Sequence, residues 1–286
     1  MASSTTRPRD PASAPATVAP LAPACRDRTA ASRRRSVEDA IGAMRKRLSE
    51  PLSLQAIAHE AAASPFHFDR IFRQVTGVQP FRFLSALRLD AARRLLFTTR
   101  FSATRICFEV GFNSVGSFTR QFSESVGLPP HRLRRFAVRT DAASLARALE
   151  VRDAGAAAPG PAVEGRVRAP EGFSGAVFVG LFRTPLPSGH PGACVLLHGG
   201  GPFRAAPVGY GTWHVFAAGV ALPLAEKGGL LHEDVLRGAG GPVTVTEGGG
   251  VRGVEVVLRP GAAIDPPILV SLPLLLAERL AAAGLA

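Results

Sequence analysis

The chain has 286 residues and is 46% hydrophobic, which is enough apolar material for about two packed domains. Three cysteines, an odd number without the spacing of a metal site, exclude a disulfide scaffold and indicate reduced thiols. The most apolar stretch, residues 268–277, is too short to span a bilayer, and the first 25 residues lack the apolar run of a secretory signal. We therefore expect a cytoplasmic protein.

The formal net charge of +12 is confined to the first half of the chain. Residues 1–35 hold seven Arg against two Asp, a net +5, and residues 36–137 hold 15 Lys and Arg against 8 Asp and Glu, a net +7. Residues 138–286 hold 12 of each sign and are neutral. A surface that binds nucleic acid needs such a placement, because bound cations release counterions from the phosphates. The alternative is a basic face that only keeps the protein in solution.

The first segment, residues 1–35, is rich in Ala, Pro, Ser, Thr and Arg, which predicts a disordered basic arm. The first helix is predicted to begin at Ser36, because Ser36 and Asp39 form an approximate capping box before apolar residues at helical spacing. Pro51 ends this segment.

A unit of two short helices then occurs twice, first in residues 52–77 and again in residues 101–127. Shared residues recur 49 positions later in the first helix of each copy and 50 positions later in the second helix: Ser53/Ser102, Ile57/Ile106, Glu60/Glu109, Ser64/Ser114, Arg70/Arg120, Phe72/Phe122, Gly77/Gly127 and Pro80/Pro130. The one-residue difference falls between the helices, where a turn absorbs it. Two helix-turn-helix units on a basic background predict a sequence-specific DNA-binding protein.

Serines are predicted to cap the helices of both copies, with Ser53 and Ser102 preceding the first helix of each pair. The second, recognition helices are predicted over about residues 64–76 and 114–126, and a longer helix from about Phe81 to Thr98 joins the copies. The apolar stripes expected to be buried are Phe68, Ile71, Phe72 and Val75 in the first recognition helix, and Phe118, Phe122 and Val126 in the second.

Residues 138–162 are rich in Ala, Gly, Asp and Pro and are predicted to form a linker, part of which (142–151) has a helical pattern. Beyond it, short β-rich runs cut by Gly and Pro are typical of a small β-sandwich: 163–167, 176–182, 194–198, 212–217, 243–247 and 254–258. The sequence therefore predicts a multidomain protein. An all-α tandem helix-turn-helix domain (36–137) precedes a mainly β domain (163–286) that ends in a helix from about Leu272.

Some residues of the β-rich half invite a catalytic or metal-binding interpretation. The string His198 to Gly201 matches the oxyanion loop of some esterases, but the chain has no G-x-S-x-G elbow, so a glycine turn between strands is the better prediction. The consecutive residues 232–234 (His-Glu-Asp) lack ligand spacing, and Trp213 is expected in the core. We expect no catalytic residue, metal or cofactor. The alternative is an enzyme tethered to DNA, with a catalytic C-terminal domain.

Residues 36–136 resemble the AraC/XylS family of bacterial transcription regulators. The first copy reads S-x-x-H-x-x-R-x-F-x-x-x-x-G from Ser64 to Gly77, and the second reads V-G-F-x-S-x-x-x-F-x-R-x-F-x-x-x-x-G-x-x-P from Val110 to Pro130. The resemblance implies seven helices, with both recognition helices in successive major grooves of double-stranded DNA. Most family members place this domain last, whereas here it comes first, so the resemblance does not extend to residues 138–286.

The resemblance also implies which residues of the recognition helices contact DNA. Base contacts are implied for Phe66, Asp69, Arg70, Asn113, Gly116, Ser117 and Arg120, and phosphate contacts for Ser64, Arg73, Ser114 and Thr119. Arginine suits base readout because its planar fork grips guanine O6 and N7 together. Asp69 either accepts a hydrogen bond from cytosine N4 or orients Arg70 or Arg73. Gly116 departs from the family, which often has a longer side chain there.

The partners predicted beside DNA are RNA polymerase, a small-molecule effector and a second copy of the chain, with no membrane. The C-terminal domain is expected to sense a ligand or to mediate protein contacts, and the protein to associate with the nucleoid in the cytoplasm.

Overall fold

The structure is a computed structural model, and it describes residues 23–139, 159–222 and 235–270. The helices of this part are α1 (Pro23–Lys46), α2 (Leu54–Glu60), α3 (Pro65–Thr76), α4 (Pro80–Thr98), α5 (Ala103–Glu109), α6 (Val115–Val126) and α7 (Pro130–Arg139). The strands are β1 (Val163–Arg168), β2 (Gly175–Phe182), β3 (Ala193–His198), β4 (Gly201–Ala205), β5 (Gly211–Ala221), β6 (Leu236–Val245) and β7 (Val251–Val257). An all-α part followed by a mainly β part confirms the predicted fold class.

The helix boundaries of the two copies follow from the same local signals. The hydroxyl oxygens of Ser53 and Ser102 accept hydrogen bonds from the backbone N–H groups of Ala56 and Arg105, both at 3.1 Å, and so cap α2 and α5. At the other end of each unit, α3 and α6 stop at a glycine in the left-handed conformation, with φ values of 74° and 87°. The repeat seen in the sequence is therefore a repeat of structure.

The first helix begins earlier than we predicted. Instead of a disordered arm up to residue 35 and a helix from Ser36, α1 starts at Pro23. Residues 24–35 contain Ala and Arg, which favour helix, and neither proline nor glycine, so nothing stops the helix from extending towards the N-terminus. Ser36 lies inside the helix rather than at its cap, and the Arg34 Nε to Glu38 Oε1 pair, at 2.9 Å, spans one of its turns.

Each copy has its own cluster of phenylalanines in the helical core. In the first, Phe72 packs against Phe68 and Phe83 with ring centroids 5.4 Å apart in both pairs. In the second, Phe118 packs against Phe112 at 5.3 Å and Phe122 at 5.6 Å. The buried stripes of both recognition helices are those predicted from helical spacing, except that Val75 is only half-buried.

The β-rich part is a sandwich of two sheets. One has the strand order β4-β1-β7, in which β1 pairs antiparallel with β4 and parallel with β7; the other is antiparallel, in the order β3-β2-β5-β6. Apolar residues from both sheets form one core. Strand β4 was not predicted, because its five residues begin with Gly-Pro, which indicates a loop.

Two predictions about single motifs in the sandwich are confirmed. The string His198 to Gly201 forms the turn between β3 and β4. Trp213 is 6% exposed; its Nε1 donates a hydrogen bond to the carbonyl oxygen of Gly209 at 2.7 Å, and the guanidinium of Arg183 lies 3.6 Å from its ring centroid.

The sandwich packs directly on the helices. Leu186, in the β2–β3 loop, and Leu269, near the end of the described chain, are buried in the helical core. The N–H of Gly189 donates to the carbonyl oxygen of Ser125 at 2.6 Å, and Arg93 Nη1 donates to that of Val270 at 3.2 Å. The two parts therefore share a contact surface that composition and periodicity did not reveal.

Three predicted features lie outside the described residues: the helical pattern at 142–151, the loop at 232–234 and the C-terminal helix from about Leu272. Of the helices that the structure describes, none combines the length and the apolar character needed to cross a membrane.

Candidate nucleic-acid interface

The first recognition helix, α3, buries one face and leaves charged and aromatic side chains on the other. Phe68 and Phe72 are fully buried, whereas His67, Arg70 and Arg73 are exposed. Phe66, in the first turn, is 92% exposed, the largest value among the exposed large hydrophobic residues of the described chain. The ring makes little contact with the rest of the fold and is open to a partner.

The second recognition helix, α6, has the same division. Asn113, Ser114, Gly116 and Arg120 are exposed, and Ser117 and Thr119 are half-buried, while Phe118, Phe122 and Val126 form the buried stripe. A Cβ at Gly116 would meet only the hydroxyl of Ser114, at 3.9 Å, so nothing in the fold requires glycine there.

The polar side chains of α3 contact each other across single helical turns. Arg70 Nη2 lies 3.2 Å from His67 Nδ1, and Asp69 Oδ2 lies 3.9 Å from Arg73 Nη1. Of the two roles predicted for Asp69, this geometry favours the orientation of Arg73. Arg120, the counterpart of Arg70 in α6, has no ion pair within the part of the chain that the structure describes, so its guanidinium is available to a partner.

The four residues assigned to phosphate contacts differ in their burial and in the hydrogen bonds that they already make within the fold. The hydroxyl of Ser114 caps α6 by accepting from the N–H of Ser117 at 3.4 Å, whereas the hydroxyl of Ser64 makes no such cap on α3. Thr119 is half-buried, and its carbonyl oxygen accepts from Ser123 Oγ at 2.7 Å. Ser64 and the exposed Arg73 are therefore the two with the most freedom to contact a phosphate.

The turn inside each unit uses the left-handed conformation. Gly111 has a φ of 88°, and the equivalent residue of the first copy, Ala62, has a φ of 48°. A Cβ at Gly111 would collide with the carbonyl oxygen of Leu48, so only glycine fits there. The sequence predicted a turn between the helices of each unit but gave no sign that Ala62 adopts the left-handed conformation.

Two arginines of the basic half brace the fold instead of facing solvent. Arg88, in α4, donates to the carbonyl oxygens of Leu48 at 2.9 Å and Glu50 at 2.7 Å, in the loop before α2. Arg134, in α7, donates to those of Thr99 and Phe101, in the loop before α5. Each lies on the helix that follows a recognition helix, and this shared placement is the signal that could have identified them.

The same region offers further exposed basic side chains that the sequence did not assign: His131, Arg132 and Arg135 on α7. Within the described residues, no group of three or more His, Cys, Asp or Glu is arranged to hold a metal ion.

Residues 57–135 match the family model of the helix-turn-helix domain. The match runs from within α2 to within α7 and therefore includes both recognition helices. It covers the exposed surfaces of the helix-turn-helix domain described above and leaves the sandwich outside.

Curated relatives are similar to this chain over the same region. The HTH-type transcriptional regulator YobQ of Bacillus subtilis is 32% identical over 87 residues, 30% of this chain and 36% of YobQ. The HTH-type transcriptional activator RhaS of Escherichia fergusonii is 37% identical over 87 residues, 30% of this chain and 31% of RhaS. The chain thus spans about a third of the length of these relatives.

Among solved structures, an AraC-type transcriptional regulator from Chromobacterium violaceum is 28% identical, with a TM-score of 0.36 over 38% of this chain and 97% of that one. The DNA-binding domain of AdpA, solved with a target DNA, is also 28% identical, with a TM-score of 0.34 over 35% of this chain and 84% of that one.

Proposed function

We propose that this protein is a sequence-specific DNA-binding transcription regulator of the AraC/XylS type, whose helices α3 and α6 read adjacent major grooves. The observation that carries the proposal is the repeated unit, in which each copy buries a phenylalanine stripe and exposes an arginine at the equivalent position, Arg70 or Arg120. The match to the helix-turn-helix domain and the names of the relatives support it.

In this proposal the exposed residues of the two helices divide between bases and backbone. Arg70 and Arg120 donate to guanine, and Phe66 contacts the methyl group of a thymine. Asn113, Gly116 and Ser117 lie against the remaining base edges, and Asp69 orients Arg73. Ser64 and Arg73 contact phosphates, with Ser114 and Thr119 adding contacts from the start of α6.

The sandwich has a regulatory role in this proposal and does not add to the DNA-binding surface. It contacts the C-terminal ends of the recognition helices: Pro185 lies beside Gly77, and Gly189 is bonded to Ser125. The N-terminal halves, which carry the proposed base-reading residues, remain exposed. The partners that follow are an effector bound by the sandwich, a second copy of the chain and RNA polymerase, and the protein itself is not an enzyme.

The test is selection from a randomised duplex library with the purified full chain. We expect an enriched motif in two parts, centred about one helical turn of DNA apart, as two recognition helices on one face require. Equal affinity for every duplex at physiological salt would contradict the proposal, because basic charge alone gives that result. A variant with both Arg70 and Arg120 changed to Ala is the matched control, since it keeps α7 and its exposed basic residues intact.

A further inference from the structure

A polar cleft lies where the sandwich meets the helices. It has a volume of about 270 Å³, and its charged walls are Arg45 at the end of α1, Asp90 and Arg94 on α4, and Arg237 on β6. Residues 261–263 and Pro267 complete it. Both parts of the protein therefore contribute charged groups to one small space.

The charges on these walls do not balance. Asp90 is shared, because its Oδ1 lies 2.6 Å from Arg93 Nη2 and its Oδ2 lies 3.0 Å from Arg94 Nη2. Neither Arg45 nor Arg237 has an acidic partner within hydrogen-bonding distance in the part of the chain that the structure describes. Three arginines thus face the cleft against one carboxylate that is already neutralised.

Arg237 is the least satisfied of the three arginines. Its Nη1 donates to the carbonyl oxygen of Pro266 at 3.2 Å, but its buried Nε has no hydrogen-bond partner among the described residues. Burial lowers the pKa of Arg237; the nearby carboxylates of Asp265 and Asp90 act to raise it, and repulsion from Arg45 and Arg93 acts to lower it. The guanidinium remains protonated, as arginine does in proteins. A charge kept in this condition is costly unless an anion comes to it.

The backbone at Gly261 lies close to the Arg237 guanidinium. A Cβ at Gly261 would lie 3.1 Å from Nε and 3.5 Å from Cζ of Arg237, so a side chain at position 261 would crowd the guanidinium. Because residue 261 is glycine, this wall of the cleft stays open.

We propose that the cleft is a binding site for a small organic anion, a carboxylate or a phosphate, held by Arg45, Arg94 and Arg237. The planar guanidinium matches both kinds of oxyanion and binds them through charge-assisted hydrogen bonds. The volume suits a small ligand, since pockets for drug-sized ligands measure about 300–1,000 Å³. The ligand contacts α1, α4 and β6 together and so stabilises the packing of the sandwich on the helices.

The experiment is calorimetric titration of the purified full chain with inorganic phosphate and, separately, with malonate, at ionic strength fixed with sodium chloride. We expect saturable binding of at least one anion. The anion that binds more tightly shows whether the site prefers a phosphate or a carboxylate. Arg237→Gln and Arg45→Gln should each weaken binding by roughly tenfold, as the loss of one charge-assisted hydrogen bond implies.

The control variant is Arg252→Gln, which removes a charge from the same sandwich at a side chain that is 86% exposed and does not line the cleft. It should leave the anion affinity unchanged. Arg45 is exposed and makes no hydrogen bond among the described residues, so Arg45→Gln stays informative even if Arg237→Gln fails to fold. Absence of saturable binding by both anions, or equal weakening by Arg252→Gln, would overturn the site.

The regulatory consequence rests on the proposed function and has its own readout. Addition of the bound anion should shift the affinity of the full chain for its selected duplex, and Arg45→Gln should abolish that shift at the same ionic strength. An unchanged DNA affinity in the presence of bound anion would refute the coupling. The titrations contain no DNA, so a failure of the anion site is distinguishable from a failure of the proposed DNA binding.

Discussion

The exposed arginines of the recognition helices give the proposed function its sharpest test at the level of single residues. Arg70→Ala and Arg120→Ala should each lower specific affinity by about 1–3 kcal/mol and relax the preference at one base position. Arg73→Ala is the comparison, because the guanidinium of Arg73, which lies beside Asp69, is assigned to a phosphate. Its loss should weaken binding to all duplexes alike. Binding selections with the three variants measure this, and unchanged base preferences for Arg70→Ala and Arg120→Ala would remove both from base readout.

The turns inside the two units allow two predictions about stability, one for a change from alanine to glycine and one for the reverse change. Ala62 has a left-handed φ of 48°, which costs a residue with a Cβ about 1–2 kcal/mol, so Ala62→Gly should raise the melting temperature. Gly111→Ala should lower it, by about 1–3 kcal/mol in unfolding free energy, because the new Cβ collides with the Leu48 carbonyl oxygen. Thermal melts of both variants test the pair; a less stable Ala62→Gly would show that the alanine is unstrained.

Asp265 links the stability of the sandwich to pH. Burial acts to raise its pKa, but hydrogen bonds from Arg259, at 2.7 and 2.8 Å, and from the N–H of Ala262 hold that pKa below its ordinary value. A lowered folded-state pKa means that the carboxylate stabilises the protein above its unfolded pKa of about 3.9, and that this contribution is lost as the pH falls further.

The corresponding prediction compares the melting temperatures of two variants across pH. Asp265→Asn should reduce stability near neutral pH and flatten its decline between about pH 4 and the acid limit. Glu255→Gln, which removes an exposed carboxylate paired with Arg168, is the control and should keep the wild-type profile. An unchanged acid decline in Asp265→Asn would exclude this residue as its source.

At the level of elements, the phenylalanine pairs hold each recognition helix against its own unit. Phe72→Ala and Phe122→Ala should each cost about 3–5 kcal/mol in stability, because both side chains are fully buried in packed aromatic clusters. Hydrogen exchange should show that each variant loses protection first in the unit that carries it. Phe66→Ala, at an exposed position of α3, should melt like the wild type.

The elements that could be predicted from sequence are those fixed by local chemistry. Caps at Ser53 and Ser102 and the glycines after α3 and α6 act within a few residues, so the pattern alone located these helices. Strand β4 was missed because its sequence begins with Gly-Pro, which indicates a loop, and its pairing with β1 exists only in the folded chain. The start of α1 was missed because composition suited an arm as well as a helix.

The exposed faces of the two recognition helices could also be predicted, because the buried stripe of a surface helix fixes which of its faces is exposed. Residues that act at a distance could not. Arg88 and Arg134 brace loops 33 to 40 residues away in the chain, and the cleft around Arg237 needs two folded parts to exist. The periodicity of a single segment does not predict contacts between segments that are far apart in the chain.

For the whole molecule, deletion of the sandwich is expected to affect the melting temperature and the salt slope of DNA binding differently, because the sandwich packs on the helices. Leu186 and Leu269 complete the helical core, so removal of residues 151–286 exposes apolar surface on the helical part and should lower its melting temperature. The same deletion removes residues whose charges sum to zero, since residues 151–286 hold ten Lys and Arg against ten Asp and Glu. A neutral part releases few counterions from DNA, so the salt slope of binding should remain nearly the same.

The last prediction therefore concerns charge in the intact chain, where folding is not at risk. Arg73→Gln should reduce the slope of log affinity against log salt by about 1, since one phosphate contact is lost. Arg252→Gln, equal in charge change but located on the sandwich, should leave the slope unaltered. Titrations of the selected duplex at several salt concentrations measure both. A shallower slope for Arg252→Gln would mean that the sandwich itself lies against DNA, and the division between a reading part and a regulating part would then have to be abandoned.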